Sequence, residues 1–364
     1  MPSGRGETAH VTRPIEEPAA EPPEPLRLHR AARLEDRFSA VVERVLRRRG
    51  WRPRVLAYTG YGTTGWARVL GRVLLTPPHT ERRDVEVGRG WRRFLSAGVS
   101  DVLVTIELGS RTYEVRSARG GYVDLRLEAD LPAGWATARM SAAGSPQSEA
   151  PLRIVDPRAR LGLVSDIDDT VVVTALPRPL LAFWNTFVRR ESSRKPVPGM
   201  ALMYGELLRQ HPHAPVVYLS TGAWNTAPAL TAFLERNGYP SGPLLMTDWG
   251  PTTEGWFRSG RAHKRTELAR LMADLPDLQW VLVGDDGQHD PDLYGEAAGA
   301  SPERVRLIAI RQLTPTEQVR THGTPDPKPE HQQRSAAPEV RAPDGFALLA
   351  EIRARGLLAA DERA

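Results

Sequence analysis

The sequence predicts an α/β protein in which a doubly wound parallel sheet follows a smaller, all-β, sandwich-like domain. Short β-rich segments separated by Gly, Pro and Asp turns fill residues 51–150, and strand-like and helix-like segments alternate over residues 151–320. Closely spaced short strands are typical of sandwiches, whereas strand–helix alternation favours a parallel sheet with helices on its faces. Several of the later strands also end in polar or acidic residues, which is where open α/β sheets carry their sites.

Composition limits the classes of protein that need to be considered. The 364 residues allow two or three domains, and 40% hydrophobic with 26% charged residues is ordinary for a soluble globular chain. A net charge of +5 favours anionic partners such as phosphate esters, nucleic acid or acidic membrane surfaces. The absence of cysteine excludes a disulfide framework and a thiolate metal site.

The N-terminal part predicts a disordered segment followed by a helix. Residues 1–25 are rich in Pro, Glu and Ala without periodicity. Residues 26–50 carry apolar side chains at helical spacing and end at Gly50. The basic end of this helix either contacts anionic lipid or forms the solvated face of a docked helix.

Neither a signal-peptide core nor an apolar run of about 20 residues is found. We therefore expect a cytoplasmic protein, with peripheral membrane contact if its substrate is a lipid.

The all-β domain is predicted from four strands, whose clearest alternation of apolar and polar residues runs from Tyr122 to Glu128. The predicted strands are Val69–Leu75, Val102–Leu108, Thr112–Val115 and Tyr122–Leu127. No catalytic constellation is found among them. An accessory role in positioning or partner recognition and a purely structural role both remain open.

The α/β domain is predicted over residues 151–320. Its predicted strands are Leu161–Ser165, Val216–Ser220, Leu244–Thr247, Gln279–Val283 and Val305–Ile310. Its predicted helices are Met200–Gln210, Asn225–Asn237, His263–Ala273 and Pro291–Ala298. Residues 321–364 are expected to form a flexible tail with a short helix from Phe346 to Leu358.

The most informative segment is the first of these strands, because its apolar run ends in Asp166, Asp168, Asp169 and Thr170. Ligand sites of open α/β sheets lie beyond the carboxyl ends of such strands. Clustered carboxylates repel one another, and a hard cation such as Mg²⁺ relieves that repulsion. Taken alone, the segment could equally be a charged turn.

Three further motifs follow in order. A second apolar strand ends in Ser220-Thr221, Lys264 lies in a basic helix, and a third apolar strand runs into Asp285, Asp286 and Asp290. The ordered set resembles the four motifs of the haloacid dehalogenase (HAD) superfamily of phosphotransferases. The segments DIDDT, YLSTGAWN, HK and GDDGQHDPDLY are similar to the catalytic domain of the actin-patch phosphatidate phosphatases, over about Pro157–Leu313. A looser similarity covers Gly60–Leu74, and the loop Ser220–Trp224 departs from the family pattern.

The resemblance implies a role for each motif. Asp166 would form an aspartyl-phosphate, Asp168 would act as general acid and base, and Lys264 would neutralise the phosphoryl group and fix Asp166. Ser220 would donate a hydrogen bond to a phosphoryl oxygen, with Thr221 as the competing candidate. The further substrate-binding candidates are Thr170 and Gly222, together with the backbone of Ile167.

The same resemblance implies Mg²⁺, held by Asp166, Asp285 and the backbone carbonyl of Asp168. The family spacing favours Asp290 over Asp286 as the further acidic residue. His289 lies between them, and a role outside the chemistry is the favoured interpretation for it. Asp169 has either a solvent-facing, a supporting or a direct role.

The segment Thr174–Val197 occupies the place of the substrate-selecting flap of HAD proteins. Its apolar and aromatic residues are followed by Arg189, Arg190, Arg194 and Lys195, a pattern that suits a lipid with an anionic headgroup. An amphipathic helix with a solvated basic end explains the pattern equally well. Trp249, Trp256 and Phe257 either extend this rim or pack locally.

The leading functional hypothesis is therefore a Mg²⁺-dependent phosphatidate phosphatase that contacts anionic membranes. One alternative is a HAD phosphatase for soluble phosphate esters or nucleic-acid ends, although no recognised nucleic-acid motif occurs. Another is a catalytically silent module that binds anionic lipid.

Overall fold

The computed structural model describes residues 8–10, 41–77, 98–173, 195–247, 256–287, 289–322 and 335–358. The chain divides into two compact units, Met1–Ile154 and Val155–Ala364. None of the helices in the described part of the chain is long and apolar enough to cross a bilayer. The disorder predicted for residues 1–25 lies outside the described residues, apart from the short first strand.

The first unit contains eight strands in a mixed sheet of order β1-β5-β4-β7-β8-β2-β3-β6. Residues 41–48 form a helix. The strands are β1 (Thr8–His10), β2 (Arg52–Thr63), β3 (Trp66–Thr76), β4 (Leu103–Leu108), β5 (Arg111–Arg116), β6 (Tyr122–Glu128), β7 (Gly134–Ala142) and β8 (Ser148–Ile154). The four predicted strands all correspond to strands of this sheet. The longer strands β2, β7 and β8 contain Gly, Pro or runs of small residues, which weaken the sequence signal.

The predicted sandwich of two sheets is corrected by this topology, since all eight strands belong to one connected sheet. Strand β8 joins β2 only over Gly60–Gly62. A Cβ at Gly60 would lie 2.8 Å from Leu152 Cδ2 on β8 and 2.1 Å from the Arg68 carbonyl on β3, so glycine permits both neighbouring strands to approach at this point. The hydroxyl of Tyr113 on β5 donates to the Glu128 carbonyl at the end of β6, which brings distant strands together. The sheet therefore curls around its core, like a nearly closed barrel.

Alternation decides which side chains fill that core. On β4, Val104, Ile106 and Leu108 are buried while the residues between them are more exposed. Strand β6 repeats this with Val123 and Leu127. A period of two places one set of side chains on one face of the sheet, and in this unit that face is the inner one.

The second unit is an α/β fold whose six strands are all parallel, as the strand–helix alternation predicts. Its strands are β9 (Leu161–Asp166), β10 (Val216–Ala223), β11 (Leu244–Thr247), β12 (Gln279–Asp285), β13 (Val305–Arg311) and β14 (Glu339–Ala342). Its helices are α1 (Met200–Gln210), α2 (Ala227–Arg236), α3 (Trp256–Asp274), α4 (Asp290–Ala300), α5 (Pro315–His322) and α6 (Gly345–Ala354).

The strand order of this sheet positions the site. The order is β11-β10-β9-β12-β13-β14, so the succession of strands reverses direction between the neighbours β9 and β12. In open parallel sheets, ligands bind in the crevice beyond the carboxyl ends of the strands at such a reversal. Strand β9 is buried from Gly162 to Asp166, which its continuous apolar run predicts.

Residues 335–358 form a strand and a helix, where composition predicts a flexible tail with one short helix. Strand β14 pairs with β13, and α6 packs against α1. Asp344 caps α6 by accepting a hydrogen bond from the Ala347 amide at 2.9 Å. The buried side chains of α6 explain the pairing, because Leu348, Leu349 and Ile352 recur at helical spacing. Helix α6 thus packs on α1 and on the β13–β14 edge of the sheet.

Candidate active site

Strand β9 brings the first motif next to the second and the fourth. It lies between β10 and β12, and Asp166 pairs in register with Leu219, the residue before Ser220. On the other side, Ser165 pairs with Val283, two residues before Asp285. Because all three strands are parallel, their carboxyl ends meet at one edge, and the side chains that follow each apolar run converge there.

Lys264 reaches this edge from α3 and joins two of the carboxylates. Its Nζ lies 2.8 Å from Asp166 Oδ1 and 2.7 Å from Asp290 Oδ1, and all three side chains are buried. Helix α3 packs against β10 and β11. A Cβ added at Gly260 would lie 3.1 Å from Thr221 Cγ2, so the helix runs close to the second motif at this point.

The two acidic candidates of the fourth motif occupy different places. Asp290 begins α4 and is buried beside Lys264. Asp286 instead accepts a hydrogen bond from the Leu313 amide at 2.7 Å, and its own amide donates to the Arg311 carbonyl at 3.0 Å. Asp290 is therefore in the carboxylate cluster, while Asp286 ties together the loops after β12 and β13. His289 directly precedes α4, and its carbonyl accepts from the Leu293 amide at 2.9 Å.

Asp166, Asp285 and Asp290 form a buried cluster of three carboxylates suited to a metal ion. Each offers an oxygen, and these oxygens lie within 4.8 Å of one another. Among the described residues, the Oδ2 atoms of all three have no hydrogen-bond partner. Three carboxyl groups share a single ammonium group away from water, so the cluster lacks the positive charge that full ionisation of all three would need. Hard cations prefer such oxygen ligands, and the residues present therefore fit a metal ion.

Burial and mutual repulsion shift the proton affinity of the cluster. Desolvation raises the pKa of Asp166 to about 8, against the opposing effect of Lys264. Desolvation and the charges of Asp290 and Asp166 raise the pKa of Asp285 well above its usual range. Burial alone would lower the pKa of Lys264, but the two adjacent carboxylates outweigh it and raise that pKa. Perturbed titratable groups in one crevice are characteristic of functional sites.

The loop after β9 turns sharply at Asp169, which has a left-handed φ of 56°. The amides of Val171 and Val172 both donate to the Ile167 carbonyl, at 2.9 and 3.1 Å. Asp168 is partly buried, and its charge contributes to raising the pKa of Asp166. Thr170 is buried, and its Oγ1 has no hydrogen-bond partner among the described residues, so it can still bind a substrate oxygen.

The irregular end of β10 differs from expectation at Gly222. The Gly222 amide donates to Ser220 Oγ at 3.0 Å, so this N–H is already engaged within the strand end. Ser220 accepts that bond through oxygen and retains its hydroxyl hydrogen for donation. Thr247 at the end of β11 donates to the carbonyls of Thr221 and Gly222, at 2.8 and 3.2 Å, and so stabilises this end of β10.

Most of the residues predicted for the flap and its rim lie outside the described residues, among them Arg189, Arg190, Arg194 and Trp249. Lys195 is exposed, and Trp256 begins α3.

Two contributors to the site were missed by the sequence analysis. Ser165 Oγ donates to the Asp166 carbonyl at 2.6 Å and lies 2.6 Å from the Tyr204 hydroxyl. Arg311 donates to the Asp169 carbonyl at 2.7 Å. The available signal was a polar residue at each of these points in an otherwise apolar strand.

Comparison with known proteins agrees with this geometry. Residues 161–312 match the family model described as phosphatidate phosphatase APP1, catalytic domain. The match begins with β9 and ends one residue after β13. It therefore contains the carboxylate cluster, Lys264, the loop after β9 and the end of β10. The resemblance to this catalytic-domain family, inferred from the four motifs, is thereby confirmed.

Two curated relatives align over the same part of the chain. Phosphatidate phosphatase APP1 of Saccharomyces cerevisiae is 29% identical over 155 residues, which are 42% of this chain and 26% of that protein. An uncharacterized protein of Schizosaccharomyces pombe is 26% identical over 157 residues, 43% of this chain and 26% of that protein. The alignments thus span about a quarter of the length of each of these two relatives.

Solved structures give only weak matches. A β-glucuronidase of Parabacteroides merdae has a TM-score of 0.24 at 11% identity, covering 71% of this chain and 34% of that chain. A carbohydrate esterase has a TM-score of 0.22 at 9% identity, covering 72% of this chain and 89% of that chain. Similarity at this level carries no information about the fold or function of this chain.

Proposed function

We propose that this protein is a Mg²⁺-dependent phosphatase of HAD-like fold that hydrolyses phosphatidate to diacylglycerol and phosphate. The observation that carries the proposal is the buried cluster of three carboxylates joined by Lys264 at the strand-order reversal. The APP1 catalytic-domain match over residues 161–312 supports the substrate class. A net charge of +5 is compatible with work at an anionic membrane surface from the cytoplasmic side.

Phosphoryl transfer depends mainly on positioning and on neutralising charge. An Asp166 carboxylate oxygen attacks phosphorus and forms the aspartyl-phosphate while the ester P–O bond breaks. Asp168 gives its proton to the departing alkoxide, which leaves as the alcohol. Water then attacks the same phosphorus and yields its proton to Asp168. The P–O bond to Asp166 breaks, and phosphate and the free carboxylate are released.

The surrounding side chains hold the reacting groups. Lys264 fixes Asp166 through Oδ1 and places a positive charge beside the phosphoryl oxygens. Ser220 and Thr170 provide hydroxyl groups at the same edge. Mg²⁺ would be held by Asp166, Asp285 and Asp290 and would supply further neutralisation of phosphoryl charge.

A silent lipid-binding module would not need this arrangement. Burying several carboxylates around one ammonium group is costly unless the site has a use for them. A binding module also has no need for both carboxylates of the DIDDT segment.

The proposal is tested by Mg²⁺-dependent phosphate release from phosphatidate in mixed micelles and from a panel of soluble phosphate esters. We expect wild-type protein to prefer phosphatidate. We expect Asp166→Asn, which keeps the shape of the side chain, to release phosphate from none of the esters. Asp286→Asn is the matched control, because that carboxylate binds the Leu313 amide outside the cluster.

The outcomes separate the hypotheses. Activity only on soluble esters would retain the mechanism and replace the substrate. Folded protein that binds Mg²⁺ but releases phosphate from no ester would favour the binding module. Equal loss of activity in Asp166→Asn and Asp286→Asn would contradict the assignment of the nucleophile.

A further inference from the structure

Arg311 is a buried arginine at the carboxyl end of β13, two strands from Asp166 in the sheet. Its Nη1 donates to the Asp169 carbonyl at 2.7 Å, its Nη2 to Glu317 Oε1 at 2.6 Å and its Nε to the Pro343 carbonyl at 3.2 Å. A buried guanidinium group is costly unless it is paired and hydrogen-bonded. These three acceptors satisfy that requirement.

The orientation of the guanidinium group is itself supported. Glu317 Oε2 accepts from both the amide and the hydroxyl of Thr314, at 2.9 Å each. Glu317 is therefore anchored in the first turn of α5 while its other oxygen holds Arg311. Since the guanidinium group is planar and rigid, fixing Nη2 on Glu317 also sets the direction of Nη1. Nη1 points at the loop after β9, where it meets the Asp169 carbonyl.

The contacted carbonyl belongs to the residue in the left-handed turn, directly after Asp168. Left-handed φ is uncommon for residues other than glycine and needs support from its surroundings. The Asp169 amide donates to the Val172 carbonyl at 2.9 Å, and the Tyr239 hydroxyl donates to the Val171 carbonyl at 3.0 Å. Several hydrogen bonds therefore hold the backbone that follows Asp168, and the bond from Arg311 has a charged donor.

We propose that Arg311 is a positioning residue that holds the Asp169 carbonyl and thereby keeps Asp168 directed at the leaving oxygen. This inference rests on the proposed phosphatase function. Arg311 touches neither the substrate nor the reacting atoms; it acts through the backbone of the turn. Its loss should therefore weaken proton donation to the leaving group more than it weakens attack by Asp166.

The leaving group provides the decisive test. The leaving group of an alkyl ester such as phosphatidate is a strongly basic alkoxide that needs a proton, whereas 4-nitrophenolate leaves readily as the anion. For Arg311→Met we expect kcat/KM to fall about 100-fold for phosphatidate and less than about 10-fold for 4-nitrophenyl phosphate in the same micelles. If the enzyme proves specific for soluble esters, glycerol phosphate replaces phosphatidate. kcat/KM is the right parameter because it reports formation of the aspartyl-phosphate.

Arg304→Met is the matched control. Arg304 directly precedes the opposite end of β13, and it also donates to backbone carbonyls, those of Leu278, Met272 and Leu275, at 2.9, 3.0 and 2.7 Å. Its loss should lower activity on both esters equally, through stability alone. Arg311→Lys should recover part of the selectivity for alkyl esters because it keeps one donor for the Asp169 carbonyl. An equal loss on both esters in Arg311→Met would overturn the proposal.

Hydrogen exchange keeps the proposal testable independently of turnover. The amides of residues 169–172 should exchange at least about tenfold faster in Arg311→Met than in wild type. In Arg304→Met they should exchange at the wild-type rate. Unchanged exchange in Arg311→Met would overturn the positioning role whatever the activity. Wild-type protein that releases phosphate from no ester would refute the proposed function, while the exchange result would still decide whether Arg311 holds the turn.

Discussion

Both units bury charged side chains, but they satisfy them differently. In the first unit, Arg68 is buried and binds Asp124 through two hydrogen bonds of 2.6 Å, Nε to Oδ1 and Nη2 to Oδ2. One cation thus meets one carboxylate in a bidentate pair. In the second unit, Lys264 meets two carboxylates directly and a third lies alongside.

The difference separates a structural ion pair from a site. The pair in the first unit is complete in itself, and Asp124 is also in contact with solvent, with 42% of its side chain exposed. The cluster in the second unit has three carboxyl groups for one ammonium group, and each has an oxygen without a hydrogen-bond partner among the described residues. Folding alone does not explain such an incomplete arrangement, whereas a bound cation and a phosphoryl group would complete it.

The largest effect is expected from removing the cation of the cluster. Lys264→Met should lower phosphatase activity about a thousandfold, since it removes a preorganised charge beside the phosphoryl group. It should also lower the free energy of unfolding without Mg²⁺ by about 3–5 kcal/mol, because buried carboxylates lose their partner. Urea unfolding with and without Mg²⁺ measures this. Arg265→Met is the control, since Arg265 pairs with Glu296 at a half-exposed position. Equal effects of the two changes would remove the distinction between the cluster and an ordinary ion pair.

A smaller effect is expected from displacing one carboxylate. A Cβ at Gly284 would lie 2.6 Å from Asp290 Oδ2 and 2.7 Å from Asp290 Cβ, so Gly284→Ala must shift Asp290. We expect weaker Mg²⁺ binding by calorimetry and a loss of about 1–3 kcal/mol in unfolding free energy. In Gly295→Ala the added methyl group meets nothing within 4 Å. That variant should bind Mg²⁺ with wild-type affinity. Equal Mg²⁺ affinities of the two alanine variants would contradict a role for Asp290 in binding the ion.

The cluster should also make Mg²⁺ binding depend on pH. The folded-state pKa of Asp166 is raised to about 8, above its unfolded value, so the protonated carboxyl contributes stability that is lost as pH rises through about 8. Mg²⁺ must displace that proton. The stabilisation by saturating Mg²⁺ should therefore be larger at about pH 8.5 than at about pH 6.5, by about 2 kcal/mol. Thermal unfolding at both pH values measures it, and a smaller stabilisation at the higher pH would contradict the shift.

The smallest effect is expected from the completed pair in the first unit. Asp124→Asn should cost about 1 kcal/mol or less, because 42% of the Asp124 side chain is exposed and asparagine keeps one oxygen that accepts from Arg68. Phosphatase activity and Mg²⁺ affinity should remain at the wild-type level. A Mg²⁺-dependent change in the stability of this variant would show that the comparison between the two units is drawn wrongly.

The part of the site that could be predicted lies on short local patterns. Asp166 and Asp285 end strands that the sequence predicts, and parallel strands bring their carboxyl ends together. Lys264 lies within a segment that the sequence predicts as a helix, although the helix of the structure begins earlier, at Trp256. Asp290 was favoured over Asp286 by family spacing, and the structure brings Asp290 to the cluster. The roles assigned to all of these residues remain predictions.

The parts that could not be predicted depend on pairings between distant residues. Arg311 and the carbonyl it holds are 142 residues apart, and nothing local specifies that bond. The Gly222 amide donates a hydrogen bond to Ser220 Oγ at the end of β10, and composition does not reveal this bond. In the first unit, the single sheet depends on the approach of β8 to β2 at Gly60–Gly62, which alternation within either strand cannot indicate.

The most direct test of the central claim is to trap the phosphorylated enzyme. Protein mixed with phosphatidate and Mg²⁺ is quenched in acid, reduced with borohydride to convert an aspartyl-phosphate to homoserine, and mapped by mass spectrometry. The account predicts homoserine at position 166 in wild type and none in Asp166→Asn. Phosphate release with no modification at Asp166, or with modification at another residue, would contradict it.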